Sequence, residues 1–366
     1  MISAIPVPDN DPRRQSVRDW LGEHPAPSAR DLVEAGYAAP HWPEPWGKGA
    51  DAMTQLVIED ELQRAGVSLP LNPNAILFTG PSLLLGGTDE QRARYLPPML
   101  AAEEMWCRLY SEPDAGSDLA AIRTRGERRG DVFVINGGKL WAPLAQIAVL
   151  GGLLVRTGGK PGERGGLTYL ICPMDLPGIT LNRVRDLAGG YRFNELFFDN
   201  VEIPVQNLVG VENEGIVVAE SRFHYERVTT ARGAAFGNGP GAPDLIEFIK
   251  HEGIELDPIM RDRVATIYGD SEILRAMAIS IARSRQLGYE TEPTERARKI
   301  LLERHGRSLG FLAGDLTSGG GGIVPDSDNA AEMFWHNAFL SAASITIGAG
   351  TPEIQLEELG DILLGT

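Results

Sequence analysis

WCRLYSEPDAGSDLAAIRTR, Trp106 to Arg125, is the stretch on which the reading of this chain turns. An apolar run ending at Tyr110 gives way to the polar, turn-rich segment Ser111-Glu112-Pro113-Asp114-Ala115-Gly116-Ser117-Asp118. Small side chains and exposed backbone N–H groups suit such a loop to grip a phosphate or a flavin edge. On physical grounds alone, a plain surface turn leading into a β region is the simpler reading.

The texture changes on either side of this stretch. Residues 1–106 read as helices joined by Pro-rich turns. Pro40 to Gly49 (PHWPEPWGKG) is a loop. Met53 to Arg64 has helical spacing, with Met53, Leu56, Val57 and Leu62 apolar. Thr88-Asp89-Glu90-Gln91 carries the pattern of a capping box and predicts a helix start. Residues 107–205 change period. Strand-like runs at 131–141, 148–156, 167–172, 179–184 and 195–198 are each bounded by Gly, Pro or Asn, and Asn136-Gly137 predicts a hairpin turn. From 206 onward the chain reads as helical again. Asp257-Pro258 opens a long helix to about Gln286, another starts near Pro293, and two lie between Ala330 and Leu364. The expected fold is α+β and multidomain. It has an N-terminal helical domain (1–106), a middle β-barrel or sandwich (107–205) and a C-terminal helical bundle (206–366).

Composition bounds the function. A chain of 366 residues is expected to form two or three packed units. With 34 Lys and Arg against 50 Asp and Glu the net charge is −16, which argues against a nucleic-acid or anionic-membrane partner. Two cysteines, Cys107 and Cys172, stand in apolar surroundings and read as buried thiols, not a disulfide framework or zinc site. The six histidines are scattered without metal-ligand spacing, so no metal is expected. The N-terminus lacks a signal-peptide pattern, and no apolar run approaches the roughly 20 residues of a membrane helix. The cytoplasm is the expected compartment.

Several further blocks, in order, carry a resemblance: INGGKLW (Ile135 to Trp141), FNELFFDNVEIP (Phe193 to Pro204), NLVGVENEG (Asn207 to Gly215) and GTPEIQ (Gly350 to Gln355). With WCRLYSEPDAGSDLAAIRTR they resemble the acyl-CoA dehydrogenase family over most of the chain. That family has an N-terminal helical domain, a middle β-domain and a C-terminal four-helix bundle. It binds FAD and removes one hydrogen from each of Cα and Cβ of an acyl-CoA thioester. The resemblance implies that Tyr110, Ser111, Trp141 and the position of Pro143 meet the flavin. Thr351 and Glu353 would meet the FAD pyrophosphate and ribose, and Ser117 the acyl-CoA. It also implies an electron-transfer flavoprotein or similar acceptor, and a tetramer of one chain or of two related chains.

The same resemblance marks departures. Most members carry the catalytic base as a Glu just before the Gly-Thr of the last motif, where this chain has Ala349. A minority supplies it from the Glu of a Glu-Arg pair in the C-terminal bundle, which matches Glu226-Arg227, with Arg227 near the CoA moiety. Helical spacing adds to this. Ile216, Ala219, Phe223, Glu226, Thr230 and Gly233 share one face, where a carboxylate is costly unless used or paired. A salt bridge to Arg222 or Arg227 is the structural alternative. Pro143 stands where the family has a Thr, and Pro lacks both hydroxyl and N–H. No Arg-x-x-Phe-Gly segment is present, and Gly319 to Gly322 reads as a helix–helix loop more than a phosphate nest. Leu245 to Arg275 looks like the actinobacterial members that act on steroid side chains, where two different subunits often assemble. Three readings follow: an FAD-dependent acyl-CoA dehydrogenase, a non-catalytic subunit completing a partner's flavin site, and a same-fold flavin monooxygenase.

Overall fold

The computed structural model describes residues 8–70, 72, 75–220, 241–287, 289–317, 330–348 and 350–365. These fall into two units, one within 7–229 and the other within 230–366, each with its own core.

In the first unit, β1 (Trp106–Leu109), β2 (Arg125–Arg129), β3 (Val132–Pro143), β4 (Leu150–Arg156), β5 (Leu167–Pro173), β6 (Ile179–Val184), β7 (Phe193–Pro204) and β8 (Leu208–Val209) form one mixed sheet. Its order is β6-β7-β3-β2-β4-β5-β8, with β1 parallel to β4. Strands β4 (LGGLLVR) and β5 (LTYLICP) are apolar almost throughout because both of their faces are covered. One face packs with Phe133, Ile135, Leu196 and Ile203 into the β-domain core. The other packs against the N-terminal helices α1 (Arg14–Glu23), α2 (Ala29–Glu34), α3 (Ala52–Arg64), α4 (Gly80–Gly86) and α5 (Asp89–Leu100), through Trp42, Leu62, Leu83 and Leu96. A short helix α6 (Gly215–Glu220) adds Ile216 and Ala219 to that second core. The capping box at Thr88 forms as the sequence predicts: Gln91 N donates to Thr88 Oγ1 at 3.2 Å, and Thr88 N donates to Gln91 Oε1 at 3.1 Å.

The hairpin expected at Asn136-Gly137 is not there. Both residues lie inside β3, and the chain reverses between β2 and β3 at Gly130 (φ +62°). Asn136 uses its side chain across the ladder instead, accepting from Asn200 N at 3.0 Å on β7. Gly137 is required by close packing: a Cβ there would lie 2.8 Å from Thr124 Cα. Local turn chemistry favoured a hairpin, and strand pairing overrode it.

The second unit is helical: α7 (Ala242–His251), α8 (Pro258–Gln286), α9 (Glu292–Leu316), α10 (Ala330–Ser341) and α11 (Pro352–Leu364). Asp257 caps α8, its Oδ1 accepting from Met260 N at 2.7 Å, and Pro258 occupies the first turn as expected. Leu245, Phe248, Ile267, Leu309, Leu312 and Trp335 form the core. Among the described residues no helix is long and apolar enough to cross a membrane, and none of the His, Cys, Asp and Glu groups could hold a metal ion. Cys107 and Cys172 are buried free thiols, and burial pushes the Cys172 thiol up to about 12.

Candidate functional site

Strand β1 alternates between the two cores. Cys107 and Leu109 point into the β-domain core, while Trp106 and Tyr110 join the helical core. The chain then enters the Ser111–Asp118 loop, which folds back on itself through Glu112 N to Ala115 O at 2.7 Å. Leu140 N of β3 donates to Ser111 O at 2.8 Å and ties the loop to the middle of that strand.

Beneath this loop lies a buried ion pair that sequence reasoning did not single out. Lys139, 1% exposed, donates from Nζ to Glu112 Oε1 at 2.7 Å and to Tyr110 O at 3.0 Å. Glu112 also accepts from Arg123 N at 2.8 Å and Thr124 N at 2.9 Å. Burial lowers the Lys139 ammonium to about 8 against the opposing pull of Glu112. Burial alone would raise the Glu112 carboxyl, but Lys139 and the hydrogen bonds outweigh it and the net shift is downward. One ion pair therefore fixes the backbone on both sides of Ser111.

Trp141 is 53% exposed, with φ +61°. Simple alternation from Phe133, Ile135 and Lys139 would bury it. The ladder gains one residue on β3 between the pairs Lys139↔Leu196 and Ala142↔Asn194, so Ala142 turns inward and the indole turns out. A left-handed backbone at a large non-Gly residue costs about 1–3 kcal/mol and persists only where its surroundings enforce it. Phe193 steadies the indole edge to face at 5.9 Å, and Phe193 pairs with Pro143 at the end of β3. Tyr110 is buried, its hydroxyl 3.3 Å from that of Tyr169.

Ser117 lies exposed at the far end of the loop, next to Asp118, whose Oδ1 accepts from Ala120 N at 2.9 Å. The backbone just beyond is held by a second buried cation. Arg156 donates to Ala120 O at 2.6 Å, Ile122 O at 2.8 Å, Gly165 O at 3.0 Å, and Gly158 O and Glu163 O at 3.2 Å. One guanidinium thus joins the end of the Ser117 loop to the Gly-rich segment 157–166. Replacing Arg156 by Ala is expected to cost at least about 2 kcal/mol, since several carbonyls lose charged donors at once. Chemical denaturation checks the loss, and limited proteolysis is expected to open first within 157–166.

The structure therefore brings Tyr110, Ser111, Trp141 and Pro143 onto one loop-and-strand corner. Thr351 and Glu353 belong to the second unit. There Thr351 precedes α11, and the Glu353 carboxyl is held down by its own backbone N–H and the Thr351 hydroxyl. Glu226, Arg227, Ala349 and Gly319 to Gly322 lie outside the described residues. A sequence signal for Lys139 and Arg156 does exist: each is a charge at an inward strand position, where a solvated side chain has no place.

Three family descriptions match the chain in order: the acyl-CoA dehydrogenase N-terminal domain over residues 11–103, the middle domain over 107–201 and the C-terminal domain over 213–364. Acyl-CoA dehydrogenase FadE34 of Mycobacterium tuberculosis is 34% identical over 337 residues, covering 91% of this chain. The chain spans 45% of the length of that relative. Acyl-CoA dehydrogenase IpdE1 of Mycobacterium tuberculosis is 30% identical over 335 residues, covering 91% of this chain and 86% of its own. Among solved structures, a chain of the Tcur3481-Tcur3483 steroid ACAD superposes with a TM-score of 0.76 at 25% identity, covering 96% of both chains. With three matched domains in sequence order and a relative covered over most of its length, the chain belongs to the acyl-CoA dehydrogenase family.

Proposed function

We propose that this chain is an FAD-dependent dehydrogenase subunit that forms the α,β double bond of an acyl-CoA thioester, organised as domains 1–106, 107–205 and 206–366. The observation that carries this is the indole of Trp141, held outward on a left-handed backbone beside a loop fixed by Lys139 and Glu112. An exposed aromatic on an enforced backbone fits the face of a flat ring, and the residues present fit a flavin in that respect. Ser111 and Tyr110 would border the ring, Thr351 and Glu353 the pyrophosphate and ribose, Ser117 the acyl-CoA and Arg227 the CoA moiety. FAD supplies the hydride acceptor for Cβ. The chain's own work is at Cα, where Glu226 takes the proton from the carbon acidified by the thioester carbonyl. A steroid-derived or similarly bulky acyl group suits the likeness of Leu245 to Arg275 and the name of the similar solved assembly. An electron-transfer flavoprotein or similar acceptor and a tetrameric, cytoplasmic assembly complete the reading.

A second reading has its own observation. Pro143 presents neither hydroxyl nor N–H at the strand end where the family places a flavin donor. A subunit that completes a partner's flavin site is consistent with this, and the name of the similar assembly joins two designations. Expression alone and with a related neighbouring chain separates the two readings. A yellow protein that bleaches with an acyl-CoA on its own supports the first. A colourless one that acquires flavin only in the pair, with its Glu226→Gln variant as active as wild type, removes it.

A further inference from the structure

The second unit holds a polar seam where packed helices ordinarily set apolar side chains. Arg296, Lys299 and Glu303 follow helical spacing on α9, along the face that meets the start of α11. The Arg296 side chain is 16% exposed. Its Nη2 donates to Glu292 Oε1 at 2.6 Å, one turn back on its own helix. Its Nη1 pairs with Glu358 and makes a long hydrogen bond, 3.4 Å, to Gln355 Oε1. One guanidinium therefore ties the first two turns of α11 to α9. Further along the seam, Lys299 Nζ stands 2.5 Å from Glu303 Oε1, and Glu303 is buried. Burial raises the Glu303 carboxyl against the pull of Lys299, and the neighbouring Glu353 carboxylate adds to the rise. Glu303 thus repels the start of α11, and Arg296 supplies the opposing attraction.

Apolar packing does little to hold this end of the helix. Among the described residues of α11, Gln355 alone is buried. Its side-chain amide folds back beside Gly350, which has φ +95°, and a Cβ on Gly350 would lie 2.8 Å from Gln355 Nε2. Gln355 N donates to Thr351 O at 3.1 Å, and Thr351 makes no side-chain cap to the helix. A helix start carries N–H groups that its own carbonyls cannot satisfy, and an anion such as a phosphate suits them. We infer that Arg296 is a positioning residue: through Gln355 and Glu358 it fixes the turn at Gly350 to Glu353, so that the first turn of α11 can receive the FAD pyrophosphate. The inference rests on the FAD reading given above and deepens it, by naming the side chain that sets this contact.

The test uses the full chain, freed of flavin and with its partner chain where flavin requires it. Calorimetry gives the FAD affinity, hydrogen exchange reads the amides of Glu353, Ile354 and Gln355, and chemical denaturation reads stability. In the wild type FAD is expected to slow exchange at these three amides. Arg296→Met is expected to weaken FAD binding about tenfold and to speed exchange at the same amides in the flavin-free protein. The denaturation midpoint stays near that of the wild type, because partly exposed ion pairs add little to stability. Arg296→Lys, which keeps the charge, recovers part of the affinity, and Gln355→Leu, which cuts the link from the other side, repeats the loss. Should Arg296→Met lower the midpoint, Gln355→Leu decides: wild-type FAD affinity in that variant overturns the inference. Unchanged affinity in Arg296→Met overturns it too, as does a wild type that binds FAD without protecting these amides, and the FAD reading then stands without it. Failure of the wild type to bind FAD overturns the FAD reading and the inference together.

Discussion

Lys139→Met is expected to lower the stability of the first unit by about 3–5 kcal/mol, the usual cost of leaving one member of a buried ion pair alone. Methionine fills much of the lysine's volume, so the loss reports the charge and not a cavity. Glu112 would keep its two backbone donors but lose the cation that offsets its burial. Pairing the change with Glu112→Gln should restore part of the loss, because the uncompensated charge is then gone. The pH dependence separates this from a packing defect. In the wild type the Glu112 carboxyl is held below its ordinary value of 4.5, so its contribution is complete above that pH and is lost as pH falls through the lower folded value. In Lys139→Met the same carboxyl is buried without its cation and its folded value rises. The variant should therefore gain stability on acidification from neutrality, while the wild type does not. Denaturant midpoints between pH 4 and 8 give the two slopes, and parallel curves would refute the ion-pair account. Flavin content should fall together with stability, since Tyr110 and Leu140 anchor the Ser111 backbone on either side of this pair.

Glu226→Gln is expected to slow removal of the α-proton by about a hundred- to ten-thousandfold, the range a positioned general base supplies. Glutamine keeps size and polarity, so binding of the thioester should change little. The clean measurement is exchange of the α-hydrogen of bound acyl-CoA with deuterium from solvent. It reads the proton step without requiring turnover, and it should vanish with Glu226→Gln but survive Glu226→Asp at a reduced rate. Retained exchange in the Gln variant would return the base to some other residue. Restoring the family's more common arrangement by Ala349→Glu in the Gln background should then recover part of the exchange.

Much of the fold was legible because local and tertiary preferences agree. Thr88 and Asp257 cap their helices as their side-chain chemistry dictates, and β4 and β5 read as apolar runs because both of their faces are covered. Asn136-Gly137 failed where they disagree: its turn propensity is real, but β7 offers Asn136 a better partner than a turn would. Ser111 and Trp141 could be singled out from the motif, but not the contacts that hold them. Lys139, Arg156 and Arg108 are long cations that look solvated in one dimension. Only the pairing of β1, β3 and β4 reveals that each is turned inward to backbone carbonyls, a carboxylate or aromatic rings.

The extra residue on β3 has a consequence for how this corner can change over time. In a strand with strict two-residue alternation, substitution alone alters what is presented to the outside. Here the segment Leu140–Pro143 behaves like a reading frame. Deleting Ala142 would restore the regular count and put the indole at the inward position opposite Asn194. A further insertion would present a different side chain in its place. Substitutions at Trp141 thus tune one contact, whereas losing the residue that follows it exchanges the contact altogether. Such changes would leave the order of the surrounding strands, set by pairs on either side of the irregularity, as it stands.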